Sequence, residues 1–404
     1  MNPILGVLLL LAPAAYAARM LQFRRAWITA PSLYQATETQ TAPVKAKQLA
    51  SQPDFQDEAS LQLSVLVAAR NEAANLPLLL ADLQQQRLPA TAFEVIIVDD
   101  HSTDETAAIV QQAALHSSFA LRLLRLQDLP NLTRTGKKAA LQEAIAAAQA
   151  PWLVCTDADC RVSPDWLLAH HAAHDANSHF VSGPVLLTGR GPLAELQGLE
   201  LAGLVASGAA GVLLHAPTMC NGANLSYRRA SFAAVGGFSG NTHVASGDDE
   251  FLLHKLHAAY PAGIRFLKHE LAVVRTAAQP TLRQLLRQRV RWASKWQHYR
   301  TAAPRRLAVL VLAANVALAA GVLVLPWQPG LLPWTAVAWG LKLGADVLFL
   351  MPVLRFFNRL RWLWWVPVLQ VAYAPYALLV GLAGLHGGYE WKGRQVRNQE
   401  QGTS

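Results

Sequence analysis

The sequence predicts an α/β fold built on a parallel sheet, joined to helices long enough to cross a membrane. Between residues 61 and 157, short apolar runs alternate with helical stretches at a spacing of roughly 30 residues, which is typical of strands joined by crossover helices. Further along, three apolar segments are each long enough to span a hydrocarbon core of about 30 Å, at 307–327, 331–354 and 362–385. A hydrophobic content of 52% in 404 residues agrees with a membrane component.

Four of the apolar runs are the predicted strands, at 63–69, 93–100, 121–126 and 152–157. Helical stretches separate them, at 75–85, 104–114 and 136–148. Polar clusters follow three of the strands, at 69–72, 99–102 and 157–159. Because ligands of open parallel sheets bind outside the carboxyl ends of the strands, we expect one binding site at this edge. After Asp159 the pattern becomes a mixed α+β region.

The apolar segment at 4–18 is predicted to be either an uncleaved membrane anchor or a secretory signal peptide. Ala15-Tyr16-Ala17 resembles a small-residue cleavage site, which favours the signal peptide. No basic residue precedes the run, whereas Arg19, Arg24 and Arg25 follow it, as expected of an anchor whose C-terminal side is cytoplasmic. We therefore expect an anchor at 1–25 and a polar, proline-containing linker at 26–60.

Basic residues concentrate next to the membrane segments, so the net charge of +9 does not indicate a nucleic-acid partner. The stretch 283–306 has eight Arg or Lys residues and no acid, with apolar side chains between them. This pattern predicts an amphipathic helix at 281–306 lying on an anionic leaflet, after a globular domain at 61–280. The small-residue stretch 192–215 is predicted to be a buried helix or one lying against the membrane.

The membrane region at 307–386 has about three hydrophobic segments, and a polar tail follows at 387–404. A cytoplasmic globular domain leaves Arg355, Arg359 and Arg361 inside, as the positive-inside rule requires. A third simple crossing would place the basic tail outside. Either the region around Pro367 and Pro375 folds back as a re-entrant segment, which we favour, or the tail is an exception to the rule. Within the second segment, the sequence places Lys342 and Asp346 one helical turn apart, where they are expected to pair.

The stretch Cys155-Thr156-Asp157-Ala158-Asp159-Cys160 carries the acidic pair after the fourth strand. Alternatives for Asp157 and Asp159 are solvated turn acids, a zinc site with the cysteines, or ligands of a hard metal. Carboxylates at the end of a strand suit Mg²⁺ or Mn²⁺, which also bind phosphate oxygens. The cysteines lack metal-ligand spacing, so we expect Cys155 and Cys160 to be packing residues.

Four further clusters accompany the acidic pair. Asp99 and Asp100 offer acceptors for a ribose or a base, and Gly136, Lys137 and Lys138 place cationic and amide groups at a helix start. One of the two lysines is expected to lie on a solvated face. The acids at 248–250 begin an apolar helical run, where they are either dipole-favoured caps or include a general base. The fourth cluster is Gln288-Arg289-Val290-Arg291-Trp292.

In this order, ARNE, VDDHSTD, TDAD, GDDE and QRVRW resemble the family 2 glycosyltransferases. The resemblance covers residues 63–292 and is to the membrane-embedded branch, with cellulose, chitin and hyaluronan synthases and ceramide glucosyltransferases. It implies a GT-A (Rossmann-like) glycosyltransferase domain with flanking transmembrane helices. It also implies an inverting, metal-dependent transfer from a nucleotide-diphosphate sugar, with a UDP-sugar favoured, and Mg²⁺ or Mn²⁺ as cofactor.

The resemblance also implies residue roles. Donor nucleotide binding falls to Ala69, Glu72, Asp99, Asp100, Lys137 and Asp157, and metal binding to Asp157 and Asp159. Asp249 is the implied base, with Asp248 the alternative because this chain has Asp-Asp where relatives commonly have Glu-Asp. Gln142 also replaces a common Asn. The diphosphate and the acceptor fall to Gln288, Arg291 and Trp292.

The terminal segment Trp391-Lys392-Gly393-Arg394 resembles that of non-processive, lipid-modifying members, and is alternatively a juxtamembrane anchor. We expect a lipid hydroxyl as acceptor and an integral plasma-membrane protein of bacterial type with a cytoplasmic catalytic domain. A processive polysaccharide synthase remains an alternative. Two other classes are a membrane nucleotidyltransferase, for which the loop after the first strand lacks glycine, and a non-enzymatic scaffold.

Overall fold

A computed structural model describes residues 3–31, 60–130, 135–240, 247–295, 301–385, 388–391 and 394–397. The chain divides into two compact units. The sheet unit comprises Pro31–Leu187, Cys220–Ala277 and Glu390–Ser404, and the helical unit comprises Met1–Ala30, Thr188–Met219 and Ala278–Tyr389.

The described α-helices and strands are numbered in chain order. The helices are α1 (Pro3–Thr29), α2 (Leu76–Gln84), α3 (Thr106–Ala114), α4 (Lys137–Ala147), α5 (Trp166–Ala172), α6 (Pro192–Leu213), α7 (Arg229–Ala234), α8 (Asp248–Ala259), α9 (Leu282–Ala293), α10 (Ala302–Val324), α11 (Leu332–Phe356) and α12 (Val366–Leu385). The strands are β1 (Leu63–Ala69), β2 (Phe93–Asp99), β3 (Ala120–Arg125), β4 (Trp152–Asp157), β5 (Cys160–Arg161), β6 (Phe180–Ser182), β7 (Val185–Thr188), β8 (Leu225–Arg228), β9 (Ile264–Phe266), β10 (Val274–Ala277), β11 (Gly388–Trp391) and β12 (Arg394–Arg397).

The main sheet of the sheet unit has the strand order β3-β2-β1-β4-β8-β6-β9. The first four strands are parallel, which confirms the parallel sheet predicted from the alternating pattern. Strand β8 pairs antiparallel with both β4 and β6, so the sheet becomes mixed where the sequence pattern changes. The fold class predicted from the sequence, α/β with helices connecting parallel strands, is confirmed.

The central strands are buried along nearly their whole length. β1 and β2 are almost continuous apolar runs because helices cover both faces of a parallel sheet. The buried carboxylate of Glu94 lies at the amino end of β2, where it accepts from Ser64 Oγ and Arg122 Nη2, both at 2.6 Å. These bonds satisfy a charge that would otherwise be costly to bury.

A small three-stranded sheet lies directly after the acidic pair. β5 pairs antiparallel with β10, with Cys160 opposite Thr276 and Arg161 opposite Arg275. The Arg161 guanidinium also donates two bonds of 2.6 Å to Asp82 on α2. The turn after β4 is therefore fixed on its far side by a strand and a bidentate ion pair.

Five described helices are long and apolar enough to cross a membrane, by length and composition. They are Pro3–Thr29, Pro192–Leu213, Ala302–Val324, Pro329–Phe356 and Leu360–Gly384. Four of them overlap the apolar segments predicted from the sequence. The fifth is α6, which is largely buried within its unit and so fits the buried-helix alternative. Helix α1 includes Arg24 and Arg25 and continues to Thr29, past the predicted boundary at residue 25.

An ionic group joins α1 to α11. Lys342 Nζ donates to Asp346 Oδ2 at 2.8 Å, and Tyr16 Oη donates to Asp346 Oδ1 at 2.6 Å. The predicted pairing of Lys342 with Asp346 is confirmed, and Tyr16 is an additional member. Phe23 lies beside Phe349 and Trp27 beside Phe356, so the two helices run parallel.

Two boundary predictions in the helical unit are wrong. The amphipathic helix α9 ends at Ala293, and Arg305 and Arg306 belong to the start of α10, so one helix over 281–306 is not formed. Helix α12 is continuous through Pro375, so the predicted re-entrant segment is not present in the described residues. The tail forms two paired strands, β11 and β12, and residues 392–393 between them lie outside the described part.

Candidate active site

The carboxyl ends of three neighbouring strands meet at one edge of the sheet. In the register of β1, Ala69 lies opposite Asp99 of β2, and Ala68 lies opposite Asp157 of β4. The three polar clusters that follow β1, β2 and β4 therefore lie at one edge of the sheet, as predicted. The site edge is also opposite to the end of β2 that Glu94 occupies.

The loops after β1 and β2 are bonded to each other. Asn71 has φ 52°, a left-handed conformation that Asn tolerates better than most residues. Its N–H donates to Ser102 Oγ at 2.9 Å, and its Oδ1 accepts the N–H of Thr103 at 2.8 Å. The next residue, Glu72, donates its N–H to Thr106 Oγ1 at 2.8 Å. This arrangement fixes the backbone around Ala69 and Glu72.

Asp99 and Asp100 are each 1% exposed but differ in their hydrogen bonds. Asp100 Oδ2 accepts the Gly136 N–H at 3.0 Å, and Oδ1 lies 3.0 Å from His101 Nδ1. Asp99 Oδ2 accepts the Ser102 N–H at 3.4 Å, whereas its Oδ1 has no hydrogen-bond partner within the described part of the chain. Asp100 therefore binds the residue that directly precedes α4, and Asp99 keeps a buried acceptor oxygen.

Gly136 precedes α4 with φ 96°, and the first residue of that helix is Lys137. Lys137 Nζ donates to Asp157 Oδ1 at 2.5 Å. Burial by itself lowers the pKa of the Lys137 ammonium, yet Asp157, Asp248 and Asp249 together raise it above its ordinary value. Lys138 is buried and burial lowers its pKa, whereas the Lys137 side chain is 28% exposed. We expected one of the two lysines on a solvated face; the structure has Lys138 buried and Lys137 partly exposed but bonded to Asp157.

Asp157, Asp159 and Cys160 bring possible metal-ligand atoms within 4.8 Å of one another. Burial raises the pKa of the Cys160 thiol well above its ordinary value, so this thiol does not supply the thiolate that zinc prefers. Burial likewise raises the pKa of Cys155 to about 12. The two carboxylates remain as donors, with Asp159 exposed. An all-oxygen set with open positions fits Mg²⁺ or Mn²⁺.

The acids of the third cluster occupy the first turn of α8, after Gly247 at φ 84°. Asp249 Oδ2 accepts the Gly222 N–H and its Oδ1 accepts the Glu250 N–H, both at 2.8 Å. Asp248 is buried, and burial raises its pKa, with Lys137 opposing the rise and Asp249 adding to it. The adjacent acids therefore differ: Asp249 is partly exposed and oriented by two amides, and Asp248 is enclosed.

Gly222 is a site residue that the sequence analysis missed. A Cβ at this position would lie 3.3 Å from Asp249 Oδ2 and 3.3 Å from Lys137 Nζ, closer than ordinary van der Waals contact. The backbone of Gly222 thus lies against both the predicted base and the cation that binds Asp157. The available signal was a glycine in Asn221-Gly222-Ala223-Asn224, a turn-like stretch before a strand.

Nearby Asn224 is fully buried, and both polar atoms of its side chain form hydrogen bonds. Its Nδ2 donates to the carbonyls of Pro184 and Ala272 at 2.7 Å, and its Oδ1 accepts from Trp166 Nε1 and lies 2.9 Å from His170 Nε2. The segment that carries Gly222 is therefore anchored immediately after it.

The predicted site residues fall into two sets. The sheet unit brings together Ala69, Glu72, Asp99, Asp100, Lys137, Asp157, Asp159, Asp248 and Asp249. Gln288, Arg291 and Trp292 lie on α9 in the helical unit.

Comparison with known proteins gives the class. The sequence family described as "Glycosyl transferase family group 2" matches residues 152–381, and "Glycosyl transferase family 2" matches residues 64–235. The fold and these matches define a glycosyltransferase enzyme. The chain belongs to glycosyltransferase family 2, which confirms the resemblance seen in the sequence.

Curated relatives match parts of the chain. A β-monoglucosyldiacylglycerol synthase of Nostoc is 35% identical over 106 residues, 26% of this chain and 22% of the relative. A human dolichyl-phosphate β-glucosyltransferase is 30% identical over 170 residues, 39% and 51% of the two chains. A poly-β-1,6-N-acetyl-D-glucosamine synthase of Staphylococcus aureus is 26% identical over 254 residues, 61% and 57%. The chain thus spans less than two thirds of each relative.

A solved structure shows the same fold over nearly the whole chain. It is a mannosyltransferase of Pyrobaculum calidifontis in complex with GDP-mannose and Mn²⁺. The TM-score is 0.55 at 23% sequence identity, and the alignment covers 95% of this chain and 99% of the other. The predicted GT-A type of fold is thereby confirmed.

Proposed function

We propose that the protein transfers a single sugar, with inversion, from a nucleoside-diphosphate sugar to a hydroxyl group of a membrane lipid. The observation that carries the proposal is the arrangement around Lys137. Its ammonium binds Asp157 of the metal-competent pair and lies beside Gly222, which in turn orients Asp249. A cation for the leaving group and a base for the acceptor are thus adjacent.

The donor end of the site suits a nucleoside diphosphate. Asp157 and Asp159 would hold Mg²⁺ or Mn²⁺, which when bound neutralises charge on the diphosphate. Lys137 remains cationic and supplies a second positive group for the developing charge. The edge formed by Ala69, Glu72, Asp99 and Asp100 would hold the nucleoside, and the buried Oδ1 of Asp99 is available to accept a hydrogen bond. A UDP-sugar is the proposed donor.

Asp249 is the proposed general base. It removes the proton of the acceptor hydroxyl while the resulting oxygen nucleophile attacks the anomeric carbon from the face opposite the departing diphosphate. The bond to the acceptor oxygen forms, the bond to the diphosphate breaks, and the proton stays on Asp249. The two amide donors keep its carboxylate in one orientation. Asp248 is the weaker candidate because it is enclosed.

The remaining proposed roles belong to α9. Gln288, Arg291 and Trp292 would steady the diphosphate and line the acceptor's approach. Their residue types suit this task, because an amide and a guanidinium donate to phosphate oxygens and an indole offers an apolar face.

A lipid acceptor is supported by the five apolar helices and by two of the relatives, which are named for diacylglycerol and dolichyl-phosphate acceptors. The protein would then be integral to a plasma membrane, with the sheet unit in the cytoplasm. A processive polysaccharide synthase is the second candidate, because the Staphylococcus aureus relative matches the largest share of this chain among the three relatives described. The family assignment argues against a nucleotidyltransferase, and the intact acidic clusters argue against an inactive scaffold.

Lipid mass spectrometry tests the acceptor. Cells expressing the wild type should gain a lipid heavier by one hexose or related sugar, and cells expressing Asp249→Asn should not. Asp128→Asn is a matched control, since this acid is 59% exposed and pairs only loosely with Arg125 at 3.6 Å. It should behave as wild type. A sugar polymer without a modified lipid would overturn the lipid acceptor in favour of the synthase.

A further inference from the structure

Helix α9 carries an arginine on its buried face. Leu285 and Arg289, four positions apart, are the buried residues of this helix, and Arg289 is only 4% exposed. A residue at this spacing on a buried face is ordinarily apolar. Arg289 therefore requires compensation from other helices of the helical unit.

Glu200 on α6 and Tyr376 on α12 provide that compensation. Glu200 Oε2 accepts from Arg289 Nε at 3.0 Å and from Nη2 at 2.8 Å. Tyr376 Oη donates to the other oxygen, Glu200 Oε1, at 2.9 Å. The Glu200 side chain is 11% exposed, so the ion pair is shielded from water and its carboxylate is bonded through both oxygens.

The rest of the guanidinium contacts two residues of the QRVRW stretch. Arg289 Nη1 donates to Gln288 Oε1, and the guanidinium carbon lies 4.2 Å from the centroid of the Trp292 ring. One side chain thus fixes a polar residue and an aromatic residue of the stretch at once, through a hydrogen bond and a cation–π contact.

We propose that the Glu200–Arg289 ion pair is a positioning element that holds Gln288 and Trp292 in the orientation used in sugar transfer. The proposal rests on the proposed function, in which those two residues contact the diphosphate and the acceptor. Arg289 itself acts through its neighbours and is not assigned a catalytic role.

Packing alone does not account for the pair. A buried ion pair is commonly no more stabilising than apolar residues of similar size. Leucine side chains at these positions could therefore hold α6 against α9 equally well. Apolar replacements would, however, remove the guanidinium that binds Gln288 and stacks on Trp292. What the charge adds over an apolar contact is therefore orientation.

Helix α6 provides a matched control. Glu195 lies on the same helix and also forms an ion pair, with Arg361 Nη2 at 2.7 Å, and accepts from Trp365 Nε1 at 2.7 Å. Its partners lie in the segment before α12 and outside the QRVRW stretch. The same chemical change at Glu195 and at Glu200 therefore compares loss of an ion pair whose arginine is 73% exposed with loss of the buried pair on the same helix.

The test uses full-length protein in lipid nanodiscs, with transfer followed as nucleoside diphosphate released. Glu200→Gln should lower kcat by at least about tenfold with donor KM changed less than about threefold, because the positioned groups act mainly on the departing diphosphate. Glu195→Gln should stay within about twofold of wild type. In the Glu200→Gln/Arg289→Gln double variant, kcat should be no lower than with Arg289→Gln alone.

Equal kinetics for Glu200→Gln and Glu195→Gln would overturn the proposal, as would additive losses in the double variant. If Glu200→Gln does not fold, Tyr376→Phe and Arg289→Lys decide instead. Both keep the helix contacts, and the proposal requires each to lower kcat per folded molecule. Wild-type protein without transfer activity would contradict the proposed function itself. Active wild-type protein with unchanged kcat in the Glu200 variants would contradict only the positioning role.

Discussion

The ammonium nitrogen of Lys137 lies 2.5 Å from Oδ1 of Asp157. Through this contact, and through the backbone of Gly222 beside it, the acid predicted to bind metal is coupled to the acid predicted to be the base. Asp157, Asp248 and Asp249 together raise the pKa of the Lys137 ammonium, so this group stays positively charged.

Removing the Lys137 charge should therefore strongly reduce the rate of sugar transfer. Lys137→Met is expected to lower kcat by about 10²- to 10³-fold, because the diphosphate loses a preorganised cation. Lys137→Arg, which keeps the charge, should retain more activity than Lys137→Met. Since the pKa of Lys137 is raised, wild-type activity should not fall through its deprotonation up to about pH 10. Rates of nucleotide release between pH 6 and about 10 check both points.

The metal ligands are tested by the two neighbours Asp159 and Cys160. Asp159→Ala should raise the Mn²⁺ concentration for half-maximal activity by at least about tenfold, because one of two carboxylate ligands is lost. Cys160→Ala should leave that concentration within about twofold, because the buried thiol stays protonated. Titration of purified protein with Mn²⁺ and Mg²⁺ measures both values. An equal effect of the two substitutions would contradict the assignment.

Gly222 is expected to tolerate no side chain. In Gly222→Ala the new Cβ would lie 3.3 Å from both Asp249 Oδ2 and Lys137 Nζ, so one of them must move. A displaced base should lower kcat by about 10- to 100-fold. Gly340→Ala is a control, because a Cβ there meets nothing within 4 Å and α11 should gain about 0.5–1 kcal/mol in helix propensity. Unchanged kcat in Gly222→Ala would contradict the role of this backbone.

The sequence could predict those features that depend on local pattern. Strands β1, β2 and β4 are apolar runs, and their parallel order places the polar residues that follow them at one edge. The acids of the site could therefore be predicted, as could the pairing of Lys342 with Asp346, one helical turn apart.

Features that depend on contacts between distant segments were not predictable. Strand β8 inserts antiparallel beside β4, and this brings Gly222 to Asp249, a contact between residues 27 positions apart. Arg289 belongs to a basic stretch and resembles a solvated residue until α6 supplies Glu200, 89 positions away. The spacing of apolar residues along the chain does not indicate which distant segments come into contact.

Acid should destabilise the sheet unit through His170. Burial lowers the pKa of this imidazole to about 4, whereas an unfolded histidine titrates near pH 6.5, so only the unfolded state binds the proton in between. Stability is therefore lost as the pH falls from about 6.5 toward 4, by about 2 kcal/mol between pH 7 and 5.

Unfolding of purified protein at pH 7 and 5 measures this effect. His170→Gln should reduce the difference between the two pH values, and His116→Gln, at an exposed position, should not. If His170→Gln shows the same pH dependence as wild type, the buried imidazole is not the source of the acid sensitivity.

The most direct test of the central claim is nucleotide release by purified protein in lipid nanodiscs, with Mn²⁺, lipid extract and a panel of sugar nucleotides. The account predicts release of one nucleoside diphosphate that depends on both donor and lipid, and a loss of at least about 10³-fold in Asp249→Asn with the fold retained. No release with any donor, or equal release by wild type and Asp249→Asn, would contradict it.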